Sequence, residues 1–220
     1  WRAGTARHLG LLDDHAAMAR AALALHETTG RRDHLDRAAE WVGILDRYHW
    51  DSENGGYFMT PADGERLIVR TRTAADGATP SGNGLMLHVL ARLWHLTGEE
   101  RYRARADALM TAFSGELSRN VFPLATLLNG AELLARARHV VIIGRPGDAD
   151  TEALLDVLRR TSLPNRVLSI VAPDATLPAG HPAHGKGMVG GRATAYLCAD
   201  MACLAPITDA ADLKANLTPG

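Results

Sequence analysis

Asp76, Ser81 and Asn83 are three short polar side chains set among three glycines and a proline in the stretch Ala75-Asp76-Gly77-Ala78-Thr79-Pro80-Ser81-Gly82-Asn83-Gly84. This composition suits a fixed, irregular turn and suits neither helix nor strand. The apolar run Leu85 to Trp94 follows at once, so the three side chains stand where a helix begins. They either cap the exposed N–H groups of the first turn, or leave those donors to hold a hydroxyl-rich or anionic ligand. A second polar group, Asp13-Asp14-His15, opens another helical pattern, where Asp13 or Asp14 is a natural N-cap. Carboxylates and imidazoles are also the groups that move protons in sugar chemistry, with aromatic walls such as Tyr57 and Phe58 to stack on the ring. Asp14, His15 and Asp76 are therefore the catalytic candidates, and Tyr57, Ser81 and Asn83 the substrate-binding ones.

Other reactive side chains have plainer readings. His88 and His95 lie two turns apart on roughly the same face of one helix and read as packing histidines. Cys198 and Cys203, five apart, are the redox candidates. They read as two buried reduced thiols, with a reversible disulfide as the alternative. His181 and His184 would complete a Cys2His2 zinc set, but their spacing and order are unusual for one. No metal ligand and no cofactor is assigned. Gly144-Arg145-Pro146-Gly147-Asp148 lacks both the Lys-Ser/Thr of a phosphate loop and a G-x-G-x-x-G pattern, so it is not read as a nucleotide site.

The elements that position these residues are mostly helical. Apolar residues recur at helical spacing from Leu12 to Thr29 and from Asp33 to Tyr48, joined at Gly30, which predicts a helical hairpin. A shift of 68 residues lays Thr29-Gly30 on Thr97-Gly98, Ala38 on Ala106 and Leu45 on Phe113, so a second hairpin runs from Ser81 to Leu96 and Glu99 to Leu117. The same shift superposes Asp13-Asp14-His15 on Ser81-Gly82-Asn83, so both polar helix starts should open on one rim. Between the hairpins, Tyr57-Phe58-Met59 and Leu67-Ile68-Val69 read as a small β-ribbon. A third helical unit begins at Phe122-Pro123. From His139 the pattern becomes strand, amphipathic helix and strand, which reads as a parallel β-α-β unit. Residues 1–138 are thus helical hairpins and residues 139–220 a small α/β region.

Composition bounds the rest. At 220 residues, 46% apolar and 22% charged, the chain reads as a soluble globular protein. Its net charge of -1, with the signs interspersed, gives no nucleic-acid or membrane-surface footprint. No run approaches the ~18 apolar residues of a membrane span. Only Lys186 and Lys214 among the 24 basic residues are lysines, a bias of genome composition and not a binding patch. Trp1 to Leu12 lacks the pattern of a signal peptide, and two cysteines are too few for a disulfide scaffold, so a cytoplasmic location is expected.

Leu12-Asp13-Asp14, Gly55-Gly56-Tyr57-Phe58, Asp76-Gly77-Ala78-Thr79-Pro80-Ser81-Gly82-Asn83, Val140-Val141-Ile142-Ile143-Gly144, and Ala195-Tyr196-Leu197-Cys198 with Cys203 and Pro206 together resemble the C-terminal part of the spermatogenesis-associated protein 20 family. The resemblance implies an incomplete α/α toroid of the six-hairpin glycosidase-like type with a small C-terminal α/β appendage, similar to N-acylglucosamine 2-epimerases. It also implies that an N-terminal thioredoxin-like domain and the first hairpins are missing. The function it implies is that of a fragment of a thioredoxin-domain-containing protein with a carbohydrate-active toroid, a sugar epimerase or glycosidase, whose ligand is a carbohydrate or other small molecule. The alternative is a non-catalytic binding or scaffold module that partners the thioredoxin-like domain in redox protein maintenance.

Overall fold

A computed structural model describes residues 4, 9–177, 180, 181, 183–199 and 202–217. Most of the segment on which the signal-peptide reading rests lies outside the described residues. Eight α-helices and four strands are formed among the described residues: α1 Leu12–Thr29, α2 Arg32–Tyr48, α3 Gly82–Thr97, α4 Glu100–Ala112, α5 Ser114–Leu117, α6 Ala125–Arg136, β1 Arg138–Ile143, α7 Ala149–Arg160, β2 Arg166–Val171, β3 Thr194–Ala199, β4 Ala202–Cys203 and α8 Ala210–Leu217. The chain is mostly helical with one small sheet. No helix among the described residues is long and apolar enough to cross a membrane.

α3 is the centre of the helical part. Eleven of its sixteen residues are buried, on every side, as expected of a helix with no polar face. It packs against α1, α4 and α6, and α1 packs in turn on α2. The 68-residue repeat is visible in the helix ends. Gly30 and Gly98 close α1 and α3 in the left-handed conformation, at φ 69° and 72°, each donating its N–H to the carbonyl four residues back. No side chain with a Cβ adopts that conformation cheaply, which is why both hairpins turn on glycine. Ala38 and Ala106, and Leu45 and Phe113, occupy matching buried positions.

The sheet has the order β2-β1-β3-β4. β1 runs parallel to β2 across α7, as the strand-helix-strand pattern predicts, and antiparallel to β3, where His139 faces Cys198 and Ile143 faces Thr194. Alternation along β1 divides its side chains between two layers. Val140 and Ile142 pack with Leu154, Leu158 and Leu213 of α7 and α8, while Val141 and Ile143 pack with Val171, Ala183 and Tyr196. Val167 of β2 belongs to the helical core, so the sheet is built onto the helices.

The β-ribbon expected around Tyr57 does not form. Tyr57 makes one isolated bridge to Trp50, Met59 donates its N–H to Thr71 O while its carbonyl accepts from Leu12 N, and Leu67, Ile68 and Val69 are exposed. The physical reason is that both backbone groups of Tyr57 are taken by a side chain from α3, described next.

Candidate functional site

The polar helix starts do meet. A Cβ at Gly82, the first residue of α3, would lie 2.3 Å from Asp13 Oδ1 and 2.5 Å from Leu12 Cγ. One at Gly84 would lie 2.8 Å from Thr126 Cγ2 and 2.9 Å from the Leu127 N. The beginnings of α1, α3 and α6 therefore converge at one end of the molecule, and the glycines of the Asp76–Gly84 stretch are what permit the approach.

Within this convergence the candidates divide into two groups. The first is engaged by backbone. Asn83 is fully buried; its Oδ1 accepts from Tyr57 N at 2.8 Å, and its Nδ2 donates to Tyr57 O at 2.9 Å and Thr73 O at 2.8 Å. Ser81 is the N-cap of α3, its Oγ accepting from Gly84 N at 3.2 Å and donating to Ala74 O at 2.8 Å. Asp76 accepts from Ser81 N at 2.9 Å and from Thr126 N at 2.8 Å, so one carboxylate ties two helix starts. Burial opposes its ionisation, but the hydrogen bonds from Ser81 and Thr126 outweigh this and hold the carboxyl below its ordinary value.

Tyr57, placed by its aromatic character on a binding wall in the sequence reading, lies wholly in the core. Its ring meets Trp50 edge-on at 4.9 Å, and its hydroxyl donates to Asp46 Oδ1 at 2.8 Å. Burial, then the Asp46 charge, push the phenol well above its ordinary pKa. Phe58 is half-buried beneath Arg70, whose guanidinium carbon sits 4.3 Å from the ring centroid.

The second group keeps free chemistry. Asp14 is exposed and accepts from Leu11 N at 2.9 Å. This reverses the expected cap of α1: Leu11 holds the N-cap position and Asp14 reaches back from the third helical residue. His15 Nδ1 pairs with Leu11 O at 3.0 Å, and its ring stands 5.9 Å from that of the buried His49, whose Nδ1 pairs with Phe58 O at 3.0 Å. Burial lowers the His49 pKa despite that bond. Asp13 Oδ1 is buried without a well-formed hydrogen bond. Burial raises the Asp13 carboxyl, the Gly82 N–H opposes that shift electrostatically, and the Asp14 charge adds to it. The Asp13 carboxyl, held toward its neutral form, and the neighbouring His15 and His49 rings are each groups able to exchange protons. His49 was missed in the sequence; its position just before the Trp50-Asp51 turn carries no motif.

The remaining candidates are dispersed. His95 pairs with Leu133 O at 3.2 Å, whereas His88 Nδ1 is buried with no partner, so only one of the two is a satisfied packing histidine. Cys198 and Cys203 are directly opposite on β3 and β4 and form a disulfide, which corrects the expectation of reduced thiols: the antiparallel register holds their Cα atoms 3.9 Å apart. Both sulfurs are thereby withdrawn from any zinc set. His181 accepts from Ala183 N at 3.0 Å and His184 pairs with Leu177 O at 3.0 Å. Among the described residues no group of three or more His, Cys, Asp or Glu is arranged to hold a metal ion.

No family model matches the chain. It is 34% identical over 210 residues to spermatogenesis-associated protein 20 of Rattus norvegicus, covering 93% of this chain and 27% of that protein. To the Homo sapiens protein of the same name it is 32% identical over 215 residues, covering 96% and 27% respectively. To the uncharacterized protein B0495.5 of Caenorhabditis elegans it is 28% identical over 210 residues, covering 92% and 28%. The chain thus resembles these relatives over nearly all of its own length and spans little more than a quarter of theirs.

Proposed function

We propose that the chain is a C-terminal segment of a protein of the spermatogenesis-associated protein 20 family, where it forms the last hairpins of a six-hairpin α/α toroid and serves as a non-catalytic binding or scaffold module beside a thioredoxin-like domain. The observation that carries this reading is the commitment of the Asp76–Gly84 polar groups to backbone. Asn83, Ser81 and Asp76 together satisfy N–H groups of Tyr57, Ser81, Gly84 and Thr126 and carbonyls of Tyr57, Thr73 and Ala74. A side chain so engaged would have to abandon buried backbone groups to reach a ligand, at about 1–3 kcal/mol for each group left unpaired. The stretch reads as the clamp of a rigid platform, and identity at 32–34% to the named relatives is consistent with that platform belonging to a larger chain.

A second reading, sugar chemistry at the same rim, is favoured by one observation: the buried Asp13 Oδ1 is unpaired where α1 meets the start of α3. In it, Asp14, His15 and Asp76 remain the catalytic candidates and Asp13 joins them. The two readings separate in the full-length protein, incubated with a panel of aldoses, ketoses and N-acyl sugars and followed by NMR. The scaffold reading expects no epimerisation or hydrolysis. Turnover that is abolished by Asp13→Asn or His15→Gln, with the melting temperature unchanged, would replace it with the enzyme.

A further inference from the structure

We propose that the cleft between α1, α3, α7 and β2 is a binding site for a small amphipathic anion, an organic phosphate or carboxylate. This site is separate from the rim described above and rests on different residues.

The cleft encloses about 390 Å³, within the range of small-molecule sites. Arg20, Arg92, Arg159 and Arg166 line it, against the single carboxylate of Glu27, while Leu155, Leu158 and Leu168 supply an apolar wall. The carboxylate is already engaged, since Glu27 forms an ion pair with Arg92 and accepts from Leu168 N at 3.2 Å. Two of the arginines are partly structural. Arg166 donates to Leu158 O at 2.6 Å, and Arg92 to Arg166 O at 3.2 Å. Arg159 is shared with Glu152 and Asp156 of its own helix, α7. Arg20 has neither a hydrogen bond nor an ion pair with any described residue.

These assignments leave the whole Arg20 fork, and the unused N–H groups of Arg92 and Arg166, without a fixed negative partner. Planar guanidinium donors match the paired oxygens of a carboxylate or phosphate, and their charge repels a cation. His88 sits in the same lining. Burial, then the charges of Arg92 and Arg20, lower its pKa to about 3, so it meets a ligand as a neutral imidazole. With Nδ1 sealed in the protein, the ring's contact with a ligand is through Nε2. The leucines in the lining call for an apolar body on the anion, and the cleft is too small for a macromolecular surface.

The test is calorimetric titration of the full chain with inorganic phosphate, phenyl phosphate and benzoate, each against sodium chloride at matched ionic strength. Phenyl phosphate and benzoate carry the same ring, so their ratio decides between phosphate and carboxylate recognition, and inorganic phosphate measures the head group alone. The expected result is saturable binding of at least one ring-bearing probe, weakened about tenfold in Arg20→Gln. Arg20 makes no contact that the fold uses, so this variant should retain the melting temperature of the parent without ligand. Rescue by Arg20→Lys should be partial, because a point charge replaces a fork. Absence of saturable binding by all three probes, or binding that Arg20→Gln leaves unchanged, would overturn the proposal.

Discussion

The Asp76 carboxylate reaches across fifty residues of sequence to accept the Thr126 N–H at 2.8 Å, while its other oxygen accepts from Ser81 N at 2.9 Å. One side chain therefore sets the relative height of α3 and α6. Asp76→Ala should cost about 2 kcal/mol, two helix caps at about 1 kcal/mol each, read as a lower urea midpoint with an unchanged slope. Because the folded carboxyl titrates below its ordinary value, its stabilisation is fully present above the unfolded pKa of about 3.9. It is lost as pH falls through the folded value, so the difference between variant and parent should shrink on acidification.

Asn83→Ala should be among the most damaging single changes in the chain. It removes three hydrogen bonds and strands Tyr57 N, Tyr57 O and Thr73 O in the interior, a loss of about 3 kcal/mol or more. Tyr57→Phe removes only the bond to Asp46, which keeps its ion pair with Arg105, and should cost about 1.5 kcal/mol. Equal costs in chemical denaturation would contradict the bracket described for Asn83.

The same glycine-to-alanine exchange should have opposite signs at two helical positions. At Gly130 in α6 the new Cβ would stand 2.9 Å from Leu87 Cγ and 3.0 Å from His88 N, and crowding of that kind costs about 1–3 kcal/mol. At Gly43 in α2 nothing lies within 4 Å, so Gly43→Ala should stabilise by about 0.5–1 kcal/mol. Thermal melts of the two variants beside the parent decide this.

Stability should fall between pH 6.5 and 5 in a way that histidines dominate. Burial lowers His88 to about 3, with Arg92 and Arg20 contributing; burial lowers His139 to about 3, with His95 and His181 contributing. An imidazole depressed in the folded state is protonated first in the unfolded chain. Its stabilisation is therefore complete above the unfolded value of about 6.5 and declines toward pH 3. Each such group contributes a slope approaching about 1.4 kcal/mol per pH unit. Urea unfolding at pH 7.5, 6 and 5 should show the decline, and His139→Gln should flatten it.

Reduction of Cys198–Cys203 should cost about 2 kcal/mol, because the bond closes a loop of only a few residues. Denaturation with and without a phosphine reductant measures it, and a Cys198→Ser, Cys203→Ser double variant should be indifferent to the reductant.

Sequence periodicity carried the helices well, because their ends are set locally. Gly30 and Gly98 forecast both hairpin turns, and the 68-residue shift forecast the shared end of α1 and α3. Strand β2 was legible from Arg166 to Val171 for the same reason. Long-range partnerships were not legible. Nothing in the spacing of Tyr57 and Asn83 shows that a side-chain amide replaces a partner strand, and the ribbon around Tyr57 was expected on propensity alone. Leu11 took the cap of α1 because Asp14 could reach back, which a preference for Asp at the cap position conceals. The cationic cleft was invisible because Arg20, Arg92, Arg159 and Arg166 are scattered over 147 positions of a chain whose arginines look like background.

Glu27 accepts from Leu168 N at 3.2 Å while paired with Arg92, and the turn at Gly30 rests on Ile170, whose Cβ would be 3.2 Å from a Cβ added there. The first hairpin is thus riveted to the second strand across 140 residues of chain. A protease or cloning junction placed at residue 138, where the texture of the chain changes, would leave Glu27 and Arg92 facing water on one piece and Val167 bare on the other. Both halves should precipitate when expressed alone, and mixing them should restore solubility to each.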